Sequence, residues 1–199
     1  MIAAAAVLGE LAAYRPATEE ERESLARIEE LLRRAPDPYT RERTDHITGS
    51  AVVARPDGSA FLMVYHRRLQ RWLQPGGHVE PDDESVLATS LREAREETGV
   101  AALEIANEGR ILDLDVHPIP ATPKRPAHVH HDLRYLLTTR AGAVVAEPLE
   151  IEKVGWFSME EALASGADES LARALRKAQN ILRPIGPSVI GSSGDLLIG

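Results

Sequence analysis

Apolar residues return every three or four positions at Leu25, Ile28, Leu31 and Leu32, the spacing of one face of an α-helix. Thr18, with Glu21 three residues later, has the form of a capping box, and Pro36 and Pro38 stop the pattern, so a helix is predicted over 19–35. Its acidic start and its basic end at Arg33 and Arg34 suit the helix dipole. Before it, the apolar run MIAAAAVLGELAAY is broken by Glu10 and closed by Pro16. It falls short of the roughly 18 apolar residues of a spanning helix and lacks the basic start of a cleaved signal. A short helix packed on the domain is expected there.

After the helical start the period changes. Strand-like runs at 47–54 and 60–66 flank the turn residues Pro56-Asp57-Gly58. A loop from Gln70 to Gln74 leads into Pro75-Gly76-Gly77, and helical spacing resumes over 84–98. Further strands are expected at 110–116, 129–138 and 153–157, and further helices at 159–165 and 168–181. Four prolines between Pro118 and Pro126 demand a loop, and the Gly-, Ser- and Pro-rich stretch 184–199 reads as a flexible or surface-docked tail. Strands and helices in this mixed order predict an α/β domain with helices on both faces of a mixed sheet. The division expected is a helical extension over 1–44, a domain over 45–183 and a tail over 184–199.

Composition narrows the chemistry. The 199 residues are 43% apolar and 27% charged, ordinary for a globular chain, with a net charge of -8. Duplex nucleic acid needs a basic face, so this acidic chain is not expected to bind it, nor to bind a membrane. A small phosphorylated substrate remains open, provided that a metal ion or converging arginines supply local positive charge. The chain has no cysteine, which excludes disulfides, thiolate zinc sites and thiol nucleophiles and agrees with a cytoplasmic location.

The segment 76–100, GGHVEPDDESVLATSLREAREETGV, concentrates the candidate chemistry. At 100° per residue Leu87, Leu91, Ala94 and Thr98 share one helix face, and Glu93, Glu96 and Glu97 lie roughly opposite. Three like charges on one stripe repel; a solvated face tolerates this, whereas Mg²⁺ or Mn²⁺ converts it to coordination. Arg92, one turn before Glu96, is placed to hold that carboxylate, and Gly99 to cap the helix C-terminus. Gly76 and Gly77 let the backbone approach a ligand closely.

Taken together the segment resembles the Nudix box, G-x5-E-x7-R-E-U-x-E-E-x-G-U, where U is a bulky apolar residue. Arg92-Glu93-Ala94-Arg95-Glu96-Glu97-Thr98-Gly99-Val100 matches its second half, with Ala94 small for its position. Glu84 stands at the box distance before Arg92, but six residues rather than five separate it from Gly77, the extra one falling in Pro81-Asp82-Asp83. More loosely, strand order over 45–165 and Trp156-Phe157 before an acidic helix also look like this family. The resemblance implies a Nudix-type α/β/α sandwich and a MutT-like hydrolase that splits X from a nucleoside diphosphate with Mg²⁺ or Mn²⁺. It implies Glu93, Glu96 and Glu97 as metal ligands. One of them, or Glu150 or Glu152, would activate water, while Arg92, counted with the catalytic set, and Glu84 would act structurally.

Six of the seven histidines lie at 46, 78, 117, 128, 130 and 131. Separately satisfied polar residues would explain them. The sharper expectation is that His46, His78, His130 and Asp132 form a second metal or phosphate site. The isopentenyl-diphosphate isomerase branch of the fold carries a His–Glu metal site on similar segments, but it needs a catalytic cysteine absent here. Arg67 and Arg68, with Gly76, Gly77 and His78, are expected to meet substrate phosphates, and Lys124 with Arg125 is a weaker pair. A nucleotide sensor that does not cut is the alternative to the hydrolase; it would ordinarily lack box carboxylates, and here all are present. X is read outside the box, and loop 117–127 with the strand after it are the candidates for reading it. The N-terminal helices and the tail offer contacts for a homodimer.

Overall fold

Four of the helices begin where a side chain satisfies a free backbone N–H group. In this computed structural model, which describes residues 2–122, 125–142 and 151–183, Thr18 opens α2 (Glu19–Arg34) with the expected capping box. Ser85 opens α3 (Val86–Thr98) by accepting from the Ala88 N–H, Ser158 opens α4 (Met159–Ala164) with a second capping box, and Asp168 opens α5 (Glu169–Leu182). The apolar N-terminal run is α1 (Ala4–Ala13).

The strands are β1 (Asp45–Ala54), β2 (Phe61–His66), β3 (Arg71–Leu73), β4 (Gly76–His78), β5 (Glu104–Ile105), β6 (Ile111–Ile119), β7 (His128–Thr138) and β8 (Ile151–Phe157). The centre of the sheet is a long parallel pair, β1 with β7, in register from Asp45 opposite Val129 to Ala54 opposite Thr138. The other pairings are antiparallel. The free edge of β1 is shared: its C-terminal end pairs with β2, and Thr48, Gly49 and Ser50 pair with His78, Gly77 and Gly76 of β4. That division brings the glycine-rich segment into the sheet.

Alternation along the strands sorts the layers. Ala51, Val53 and Leu137 pack with Ala94 of α3, and Ile47, Leu133 and Tyr135 on the same face pack with Leu11 of α1 and Ile28 and Leu31 of α2. On the opposite face Val52, Ala54 and Leu136 pack with Leu171, Leu175 and Ala178 of α5. The α/β/α sandwich expected from the sequence is therefore present, with the N-terminal helices laid over the α3 face.

Some local expectations are corrected. Residues 71–73 and 76–78, read as loop, are short strands, because β2 and β1 offer them open edges. Strand β6 runs on to Ile119, so Pro118 sits in a strand opposite Val129. A register shift between Ile111 and Asp113 re-aims β6. The tail 184–199 lies outside the described residues. No helix among the described residues is long and apolar enough to cross a membrane.

Candidate functional site

Two glycines decide how α3 meets the sheet. A Cβ on Gly49 would stand 2.7 Å from the Val86 carbonyl, so only bare backbone lets the helix lie this close, and one on Gly77 would stand 2.5 Å from the Glu93 carboxylate, which would have to shift. Gly99, at φ 68°, ends the helix in the left-handed conformation. The close approach places the Glu97 carboxylate on the backbone of β4, where it accepts from the Gly76 N–H at 3.0 Å. Glu97 is buried, Glu93 half-buried and Glu96 open to solvent.

Arg92 is spent on structure. Its guanidinium donates to both Asp83 oxygens at 3.1 and 2.9 Å, to the His78 carbonyl at 2.8 Å, and to Glu93 and Glu96 at 3.0 and 3.1 Å. Asp83 also accepts from the Glu80 N–H and the Thr89 hydroxyl. Glu84, expected to tie the loop to the helix, is exposed, and Asp83 is the buried residue that does so. The extra residue in the turn explains the exchange: Asp83 keeps the five-residue distance from Gly77 that Glu84 loses.

Burial raises the Glu93 carboxyl to about 7; Arg92 opposes the rise, and Glu96 and Glu80 add to it. Burial also disfavours the Asp83 charge, but hydrogen bonds from Arg92, Glu80 and Thr89 outweigh this and hold it low. Beside α3 the carboxylates of Asp83, Glu93, Glu96 and Glu97 outnumber the one guanidinium, Arg92, that bonds three of them. Hard oxygen donors, gathered where glycine leaves room against the carboxylates, fit a divalent cation such as Mg²⁺ or Mn²⁺.

The cleft, about 1480 Å³, is lined by Glu93, Glu96 and Glu97 on one side and by Asp115, Asp132 and Arg134 on another. Its floor is a closed ionic network. Asp132 accepts from the Thr48 and Ser50 hydroxyls at 2.9 and 2.8 Å and from Arg134 at 3.2 Å. Arg134, 3% exposed, reaches Asp113, Asp115 and Ser170 as well. Burial would raise Asp115, yet the His117 hydrogen bond and Arg134 keep it well below the carboxylate range. Asp113 is bound in turn by Arg173 and Lys177 of α5.

The histidines do converge, but with a different membership. Ring nitrogens of His46, His78, His128 and His130 lie within 4.8 Å of one another. Asp132, named in place of His128, is taken by Thr48, Ser50 and Arg134. Both residues alternate with His130 on one face of β7; the register chooses between them, setting His46 opposite His130 and Thr48 opposite Asp132. Arg68 lines the cleft mouth, whereas Arg67 lies outside the lining. Arg125 reaches His78 and the Arg41 carbonyl. Glu152 is exposed on β8, away from the cleft, and Glu150 and Lys124 lie outside the described residues.

Sequence reasoning missed Asp83 and the Arg134 network, and it counted His128 among the histidines without placing it in the second site. Asp113 and Asp115 on β6 and Asp132 and Arg134 on β7 each alternate by two, so charge on the inner face of both strands was visible. What joins them is the antiparallel register, Asp113 opposite Arg134 and Asp115 opposite Asp132.

A family model described as the NUDIX domain matches residues 44–178. A putative mutator protein MutT4 of Mycobacterium tuberculosis (strain CDC 1551 / Oshkosh) is 32% identical over 171 residues, taking in 75% of this chain and 65% of that protein. The chain thus spans under two thirds of that curated relative. Among solved structures, a C. elegans Ap4A hydrolase binary complex aligns with a TM-score of 0.54 at 20% identity, covering 68% of this chain and 96% of that one. A MutT NUDIX hydrolase from Burkholderia pseudomallei aligns with a TM-score of 0.51 at 23% identity, covering 66% and 95%. Both likenesses concern the fold.

Proposed function

This chain belongs to the NUDIX domain family, and on that footing we propose that it is a divalent-cation-dependent pyrophosphohydrolase that cuts the diphosphate linkage between a nucleoside diphosphate and a second group X. The observation that carries this reading is the gathering of Glu93, Glu96 and Glu97 at one wall of the cleft, against the bare backbone of Gly76 and Gly77. Glu93, Glu96 and Glu97 would hold the cation, Mg²⁺ or Mn²⁺. When bound, it neutralises diphosphate charge and makes a water more acidic.

The chain's own residues do the rest. Glu97, fixed to the Gly76 N–H, and Glu93, half-buried beside Gly77, are the carboxylates placed to take a proton from the attacking water. Arg92 stays on Asp83 and the His78 carbonyl and holds the glycine strand against the helix. Arg68 at the cleft mouth offers positive charge to the substrate phosphates, and Gly76, Gly77 and His78 form the wall along which they lie. The unit that performs this is residues 45–183, with 1–44 as its helical extension and a cytoplasmic nucleotide or related small molecule as its substrate. A homodimer through the N-terminal helices fits the same reading.

The test is product release from a panel of dNTPs, oxidised dNTPs, ADP-ribose, dinucleoside polyphosphates, NADH and nucleotide sugars, with Mg²⁺ or Mn²⁺ and again with chelator. Turnover of at least one member that chelator abolishes is expected. Tight binding of a panel member without turnover under any metal would replace the hydrolase with a sensor.

A further inference from the structure

Four histidines gather beside the cleft; His46, His128 and His130 have no part in the hydrolase reading, and His78 enters it only as part of the cleft wall. His46 lies near the start of β1, His78 ends β4, and His128 and His130 stand two apart on β7 and so share a face. Parallel register sets His46 opposite His130, and antiparallel register sets His78 opposite Thr48. One ring nitrogen from each of the four lies within 4.8 Å of every other. The rings themselves pack, with His46 stacked on His78 at 5.2 Å and on His128 at 5.5 Å.

Their polar atoms are left over. His46 is 0% exposed, and neither of its ring nitrogens has a hydrogen-bond partner; the Arg43 backbone exerts only a weak pull on it, outside hydrogen-bond geometry. The His130 Nε2 is likewise buried without a partner. His128 donates from Nδ1 to the Pro126 carbonyl at 3.0 Å, since a carbonyl only accepts, and this leaves Nε2 with its lone pair. Buried, unpartnered lone pairs converging on one point ask for a cation.

We propose that His46, His78, His128 and His130 form a binding site for a borderline-soft divalent transition-metal ion of the Zn²⁺ type, separate from the carboxylate site on α3. Imidazole nitrogens suit Zn²⁺, Ni²⁺ or Cu²⁺, whereas Mg²⁺ prefers oxygen, so the two sites sort metals by donor chemistry. Zn–N bonds of ~2.0–2.1 Å in a tetrahedron put ligands ~3.3 Å apart, so the rings close inward by on the order of 1 Å on loading. Arg125 holds the fourth ligand in the metal-free chain. Its guanidinium lies 3.1 Å from the His78 Nε2 and can only donate, so it occupies that lone pair and opposes a second cation. Loading displaces it. The His78 backbone carbonyl is already held by Arg92, so a loaded cluster would brace β4 from the other side.

The test loads chelator-stripped full-length chain with Zn²⁺, and separately with Co²⁺, in excess Mg²⁺. Metal content and competition with a chromophoric chelator are then measured. One tightly held Zn²⁺ per chain is expected in wild type and in the Glu93→Gln/Glu96→Gln/Glu97→Gln variant, with Co²⁺ giving intense tetrahedral absorption. Affinity should fall at least 100-fold in His128→Gln and rise in Arg125→Ala. Zinc that leaves with the carboxylates, zinc unaffected by His128→Gln, or no zinc held by wild type overturns the proposal. Should His128→Gln fail to fold, X-ray absorption at the zinc edge of the wild-type chain decides: three or four imidazoles support the site, and fewer overturn it.

Discussion

Arg92 shows how one side chain sets a site without touching substrate. Its fork is divided among Asp83, Glu93, Glu96 and the His78 carbonyl, which ties turn, helix and glycine strand together. Asp83 is 7% exposed, so Asp83→Ala leaves Arg92 partly buried and under-partnered and should cost about 2 kcal/mol. Glu84→Ala removes an exposed carboxylate and should stay within about 0.5 kcal/mol. Urea denaturation of the two variants checks the contrast; equal losses would return the tying role to Glu84. At Gly77 the added methyl of Gly77→Ala would collide with Glu93. Displacements of that size cost on the order of 10²-fold in turnover, so kcat should fall by about that much while the chain stays folded. The box glutamates were legible in the sequence because their spacing is local. Asp83 was hidden because one inserted residue shifts the frame, and only burial shows which carboxylate of the turn faces Arg92.

At the scale of elements, the N-terminal helices are attached through charge as well as apolar packing. Fully buried Glu21 accepts from Tyr14 and from Lys177 of α5, and Lys177 continues to Asp113 at 2.9 Å. Burial alone would raise Glu21, but the Lys177 and Tyr14 hydrogen bonds outweigh it and its carboxyl is lowered. A carboxylate lowered on folding contributes its stability fully above its unfolded pKa, about 4.3, and loses it as pH falls through the folded value. Wild type should therefore lose thermal stability below about pH 4.3 more steeply than Glu21→Gln, which lacks that titration. Parallel melting curves of the two proteins across that range check this, and identical slopes would contradict it. The Thr18–Glu21 capping box and the helix it opens were read from sequence, since caps are local chemistry. Strands β3 and β4 were not, because three-residue strands carry no period of their own and exist only where a neighbouring edge receives them.

For the whole molecule, β1 is the organising strand. Its even-numbered residues run from Val52 and Ala54 beneath α5 to Ser50, Thr48 and His46 at the cleft and the histidine cluster, while Ala51 and Val53 pack under α3. One strand thus joins core, cleft floor and metal-type cluster, and the parallel pairing with β7 completes each of them. Alternation predicted which residues of β1 and β7 share a face, but long-range register chose His128 over Asp132 as the fourth partner of the histidines. Sandwich and carboxylate helix could be read from the chain; the ionic floor and the cluster needed strands distant in sequence to be set side by side.

The most direct test compares kcat of wild type, Glu97→Gln and Glu84→Gln on a substrate that wild type turns over, at saturating Mg²⁺ and with folding checked by circular dichroism. Gln can still accept the Gly76 N–H, so Glu97→Gln removes charge and basicity with little change of shape. If the box carboxylates carry the reaction, kcat falls on the order of 10²–10⁴-fold in Glu97→Gln and by less than about twofold in Glu84→Gln. Unchanged turnover in Glu97→Gln would place the chemistry elsewhere in the cleft and contradict this account.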